Sequence, residues 1–113
     1  MIEIELKISV QAKCLTPMIQ ALATIMFQAS LDNGCVDSQL FAETGNPRAL
    51  RYVEQWASRE VFEAQINSQR FSMLLALMET ASEMPNLEIR TITERQSLDY
   101  INTIRMRGSQ LSS

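Results

Sequence analysis

Residues 2–10 alternate with almost no exception. Ile2, Ile4, Leu6, Ile8 and Val10 are apolar, and Glu3, Glu5, Lys7 and Ser9 between them are polar or charged. Successive side chains of a strand point to opposite faces, so period two marks a strand with one apolar and one charged face. That strand commits the chain to a sheet whose apolar side must be covered, and two segments have the helical spacing to cover it. Behind Thr16-Pro17, where Thr suits the cap and Pro the first helical position, Met18, Leu22, Ile25 and Ala29 recur with Ile19 and Met26. Asp32-Asn33-Gly34 stops this helix, from about Pro17 to Leu31. The second segment opens at Ser58 and is interrupted at Asn67-Ser68. It resumes with Phe71, Leu74, Leu75 and Met78 on a stripe widened by Met73 and Leu77.

Cys35–Glu43 and Ala49–Trp56 read as strands joined by the turn Thr44-Gly45-Asn46-Pro47. Met84-Pro85-Asn86 ends the second helical segment, and Leu87–Thr93 reads as the fourth strand. The order strand, helix, strand, strand, helix, strand is an α+β, ferredoxin-like βαββαβ unit with a four-stranded antiparallel sheet. Residues 1–94 are expected to form it, and residues 95–113 a C-terminal extension. In that extension Ser97 caps a short helix carrying Leu98, Ile101 and Ile104, and Gly108 to Ser113 fray. With 113 residues the chain is one domain.

Composition narrows the chemistry. There is no histidine, which removes Ser-His and Cys-His pairs, imidazole bases and histidine-ligated zinc or haem. Two cysteines cannot complete a four-thiolate site within one chain. They are expected to stay free, because Cys14 and Cys35 flank a helix of roughly 20 Å and a bridge needs Cα atoms within about 7 Å. A net charge of −3 without clustered Lys and Arg argues against nucleic acid. No apolar run reaches a membrane span, and residues 2–10 do not form a signal-peptide core, so a cytoplasmic protein is expected. Any chemistry rests on carboxylates, Lys, Arg, Tyr, Trp, amides or the substrate itself.

The most specific stretch surrounds Trp56. In order along the chain stand Gly34 before the second strand, the Asn46-Pro47 turn, and Tyr52, Glu54 and Trp56 on the third strand. Ser58, Glu60, Ala64, Ser68 and Phe71 follow. On these residues the segment Ile2 to Thr93 resembles the antibiotic-biosynthesis-monooxygenase family. The resemblance implies a dimeric α+β barrel: two protomers packed sheet to sheet, helices outside, and a pocket between each sheet and its helices. Family enzymes oxidise polycyclic phenols or quinols with molecular oxygen, often without metal or flavin, and the substrate's own anion is thought to activate oxygen. Other relatives are isomerases, haem-degrading enzymes or proteins of no known activity.

Departures bear on the chemistry. Many relatives carry His in the helix after the tryptophan, where here Glu63-Ala64 is followed by Gln65. An amide can orient a hydroxyl or carbonyl but cannot take up a proton near neutral pH. The Trp and His of the haem-degrading branch fall at Gln65 and Leu75 and are missing, which argues against haem degradation. The resemblance thus implies no cofactor, no metal and no assigned catalytic residue.

The candidate substrate-binding residues are Trp56, Tyr52, Gln65, Glu54 and Phe71. Trp56 reads either as a pocket wall stacking on a flat aromatic molecule or as a core anchor. Tyr52 and Glu54, on the same strand face, read either as acceptors of a phenolic proton or as a core residue and a cross-strand ion pair. Sheet-to-sheet pairing would bury Glu3, Glu5 and Lys7, with Arg51, Glu88 and Arg90 as their candidate partners. Two functions remain open. One is a cofactor-independent monooxygenase acting on a small aromatic or quinol-type substrate. The other is a non-catalytic, dimeric, small-molecule-binding or stress-associated module.

Overall fold

The computed structural model describes residues 1–111. Its elements are β1 (Ile2–Ser9), a 3-10 turn (Ala12–Cys14), α1 (Leu15–Ser30), β2 (Cys35–Glu43), β3 (Asn46–Trp56), α2 (Arg59–Ile66), α3 (Gln69–Met78), β4 (Asn86–Thr91) and α4 (Leu98–Leu111). The alternating first strand lies inside the sheet, flanked on both sides in the order β2-β3-β1-β4. All three pairings are antiparallel, which is the ferredoxin-like arrangement. Ile4 stands opposite Glu54 and Ile89, and Leu6 opposite Tyr52 and Leu87. Facing partners share a sheet face, so one face carries Ile2, Ile4, Leu6, Ile8, Leu50, Tyr52, Glu54 and Trp56. All eight are no more than 2% exposed. Met18, Leu22, Ile25 and Ala29 of α1, Phe62 of α2, and Phe71 and Leu74 of α3 cover them. Each large side chain so buried contributes about 1.5–3 kcal/mol of transfer free energy.

The helix caps follow local chemistry, with one correction. The Ser58 and Ser68 hydroxyls accept from the N–H groups of Val61 and Phe71, closing the starts of α2 and α3. For α1 the expected Thr16 cap is not made. The helix begins at Leu15 after the 3-10 turn, and Cys14 caps it without a side-chain bond. Pro17 tolerates this shift because the N–H groups throughout a first turn lack intrahelical partners.

Strand bounds also move. β3 starts at Asn46, which pairs with Glu43, leaving Thr44-Gly45 as the turn, with Gly45 at φ +81°. Pro47 fits inside the strand because the β2–β3 register is irregular between Ala42 and Glu43; a residue without an N–H is tolerated at such a break. β4 runs Asn86–Thr91, one residue earlier than expected at its start. Helix α4 runs on past Gly108 to Leu111, longer than the short helix expected. Both cysteines are free.

The sheet's other face carries the charged row of β1, which pairs with Arg51 and Arg90 as anticipated, while Glu88 pairs with Arg90 and not with the row itself. Arg51 Nε donates to Glu5 at 2.6 Å, and Arg90 reaches Glu5 at 3.2 Å and Glu3 at 3.3 Å. Arg90 also contacts Glu88 at 2.5 Å, Lys7 lies 4.0 Å from Glu5, and Gln55 donates to Glu3 at 2.9 Å. Glu5 is buried under these side chains. The Arg51 hydrogen bond holds its carboxyl below the usual carboxylate range, burial opposes that, and Arg90 adds to it.

Candidate functional site, a sealed carboxylate cluster

Alternation along β3 points Tyr52, Glu54 and Trp56 into the space between sheet and helices. There Glu54, wholly buried, acts as a hub. Its Oε1 accepts from the Trp56 indole Nε1–H at 3.0 Å, and its Oε2 accepts from the Tyr52 hydroxyl and from Arg70 Nη1. Arg70, 7% exposed, also lies over the Trp56 ring with its guanidinium carbon 5.5 Å from the centroid, within the range of cation–π attraction. The chain of bonds continues outward: Arg70 Nη2 donates to Gln65 Oε1 at 3.2 Å, and Gln65 Nε2 donates to Asp32 Oδ2 at 2.9 Å. The other oxygen of Asp32 accepts from Gly34 N at 2.8 Å.

A carboxylate so deep is tolerated because a cation and two neutral donors face it. No buried side-chain nitrogen or oxygen among the described residues lacks a partner. Burial, then the charge of Glu54 and the hydrogen bond to it, push the Tyr52 hydroxyl far above the usual phenol range. Tyr52 therefore serves as a proton-holding donor. Cys35, paired with Trp56 across the ladder, has its thiol pushed up by burial and by Glu54.

Of the five candidates, Trp56, Tyr52 and Glu54 touch directly, and Gln65 joins them through Arg70. Phe71 instead packs edge-to-face on Phe62, centroids 6.4 Å apart at 77°. The ion-pair partner of Glu54 comes from α3 and not from a neighbouring strand. Arg70 and Asp32 are the members the residue patterns did not single out. Arg70 had a signal: it precedes Leu74 by four residues and so lies on the buried stripe of α3. A lone cation on one apolar face and a lone carboxylate on another are complementary. Asp32 reads only as part of a turn.

Two concave surfaces lie away from this cluster. A groove of about 410 Å³ at the opposite end of the sheet is lined by Lys7, Ser9, Glu43, Asn46, Glu83 and Asn86, among others. A smaller, mainly apolar one of about 250 Å³ lies between α1 and α3, against Cys14, Met18 and Leu77.

No protein-family model matches the sequence, and no curated protein does. Solved structures do. One named antibiotic biosynthesis monooxygenase superposes with a TM-score of 0.72 at 9% identity over 83% of this chain and 100% of its own. The fold is that of an antibiotic biosynthesis monooxygenase. A candidate member of that group from Deinococcus radiodurans gives a TM-score of 0.76 at 14% identity, covering 86% of this chain and 97% of that one. A conserved protein from Methanosarcina mazei gives 0.71 at 20% identity, covering 79% and 89%. No helix among the described residues is long and apolar enough to cross a membrane.

Proposed function

We propose that the protein is a homodimer, paired sheet to sheet, that acts as a monooxygenase without a resident cofactor on a small aromatic or quinol-type molecule. The observation that carries this reading is the likeness of 83–86% of the chain to solved structures named antibiotic biosynthesis monooxygenase or candidate members of that group. The charged outer face of the sheet is consistent with it, since Glu3, Glu5, Arg51 and Arg90 already satisfy one another and could be covered without an unpaired charge. On this reading the substrate supplies its own anion, and reaching the wall of Trp56 and the fixed charge of Arg70 requires the helices that bury them to part. A cytoplasmic site of action fits the chain's free cysteines.

The sealed cluster favours a second reading, a non-catalytic binding module on the same scaffold. Gln65 stands where relatives often place His, and both ends of its amide are occupied, by Arg70 and Asp32. Oxygen-electrode traces with a panel of quinols and polycyclic phenols separate the two. Uptake above the autoxidation rate, with product gaining oxygen, supports the first. Saturable quenching of Trp56 fluorescence without uptake supports the second, and neither signal from any compound sinks both. A monomeric mass by light scattering at micromolar concentration would remove the dimer.

A further inference from the structure

Helix α4 lies off the body of the molecule. Every described side chain from Leu98 to Gly108 is exposed, Leu98, Tyr100, Ile101, Ile104 and Met106 among them. The described residues span 60 Å along their long axis with a radius of gyration of 17.9 Å, against about 13 Å for a compact domain of this length. At 100° per residue, Tyr100, Ile104 and Ile101 fall within an arc of about 100°, with Arg107 bordering one side and Arg105 the other. Such a helix wants an apolar seat with acidic surroundings.

The body supplies both. Residues 1–94 hold seven Lys and Arg against twelve Asp and Glu, whereas residues 95–113 hold three Arg against one Asp. The arm is basic and the body acidic. At the C-terminal end of α1, Phe27 and Leu31 lie one turn apart and are 63% and 69% exposed. Val36 is 52% exposed at the bulged start of edge strand β2, and the acidic Asp37 follows it. Ser30, Val36 and Asp37 share one surface depression, which places Val36 against the end of α1. This seat belongs to β2, at the edge of the sheet opposite β4, from which the chain's own arm departs. We infer that α4 docks through Tyr100, Ile101 and Ile104 on the Phe27–Leu31–Val36 patch of a second copy of this chain. The net negative body also argues against an anionic membrane surface as the occupant, because both would repel. The arm contact is independent of the sheet-paired dimer and can stand or fall without it.

The test uses the full chain with its native cysteines. A light-isotope chain carrying the photo-cross-linker benzoylphenylalanine at position 100 is refolded together with an unsubstituted heavy-isotope chain and irradiated. The expected product joins position 100 of a light chain to a heavy peptide within residues 27–37. Arg105→Glu with Arg107→Glu should abolish it, and half-molar salt should weaken it. Cross-links confined to a single chain, or mapped to any other segment, overturn the inference. So does binding to phosphatidylserine vesicles in place of the mixed product. Light scattering on the same double variant keeps the two ideas apart: a dimer that persists after the cross-link is lost leaves sheet pairing intact.

Discussion

Replacing Arg70 by Met is the sharpest test of the view that Glu54 is sealed. The substitution keeps the aliphatic reach of the side chain and deletes the guanidinium. Glu54, wholly buried, would keep the Tyr52 hydroxyl and the Trp56 Nε1–H at 3.0 Å and lose the only cation paired with it among the described residues. Removing one partner of a buried pair costs about 3–5 kcal/mol because the remaining charge is stranded. The two surviving donors place Arg70→Met near the low end, about 3 kcal/mol. Glu54→Gln strands Arg70 instead, leaving the buried guanidinium only neutral amide oxygens in place of its counter-charge, and should cost a comparable amount. The double variant should recover at least about 1 kcal/mol of the summed cost, since neither charge is left without its partner. Urea unfolding followed by Trp56 fluorescence, at one fixed protomer concentration, gives all three values. A cost below about 1 kcal/mol for Arg70→Met is what an exposed ion pair would give. That result would refute the burial argument and reopen the site to solvent and substrate.

Three further outcomes are expected. Ser58→Ala should cost about 1 kcal/mol by removing the bond from Val61 N, read from the urea midpoint; no change would mean that the cap is satisfied by water alone. Gly34→Ala should destabilise by about 1–3 kcal/mol, because the added Cβ would sit 1.9 Å from Val61 Cγ1. Val61→Ala in the same chain should return part of that loss, and an unrelieved double variant would refute the clash. Glu5 has its folded pKa lowered chiefly by Arg51, so its stabilisation is full above the unfolded carboxylate pKa and fades as pH falls through the folded one. The stability gap between the natural chain and Glu5→Gln should therefore shrink in acid, and a gap constant from neutral pH to pH 3 would contradict it.

Much of the fold could be read from the residues. The strict alternation of Ile2 to Val10, the two helical stripes and the serines at 58 and 68 each specify an element by local chemistry, and the structure places them accordingly. Helix and strand starts drifted where local signals are degenerate: Pro17 suits any position in a first turn, and Pro47 looks like a turn residue until a register break accommodates it. The face shared by Tyr52, Glu54 and Trp56 follows from period two. Their closure by Arg70 does not, because it depends on how α3 crosses the sheet, which no local pattern encodes. Leu98, Ile101 and Ile104 announced a helix, but nothing in their spacing says that it stands away from the body.

The Glu54 cluster draws on Asp32 after α1, Glu54 in β3, Gln65 in α2 and Arg70 in α3. A half-docked α3 would exclude water from the carboxylate without yet delivering the guanidinium. That intermediate is costlier than either the solvated open form or the complete one. Docking of the helical layer is thereby made all-or-none, and amide protons of β3, α2 and α3 should exchange as a single cooperative unit. A charge that contributes little net attraction can in this way sharpen the boundary between folded and unfolded.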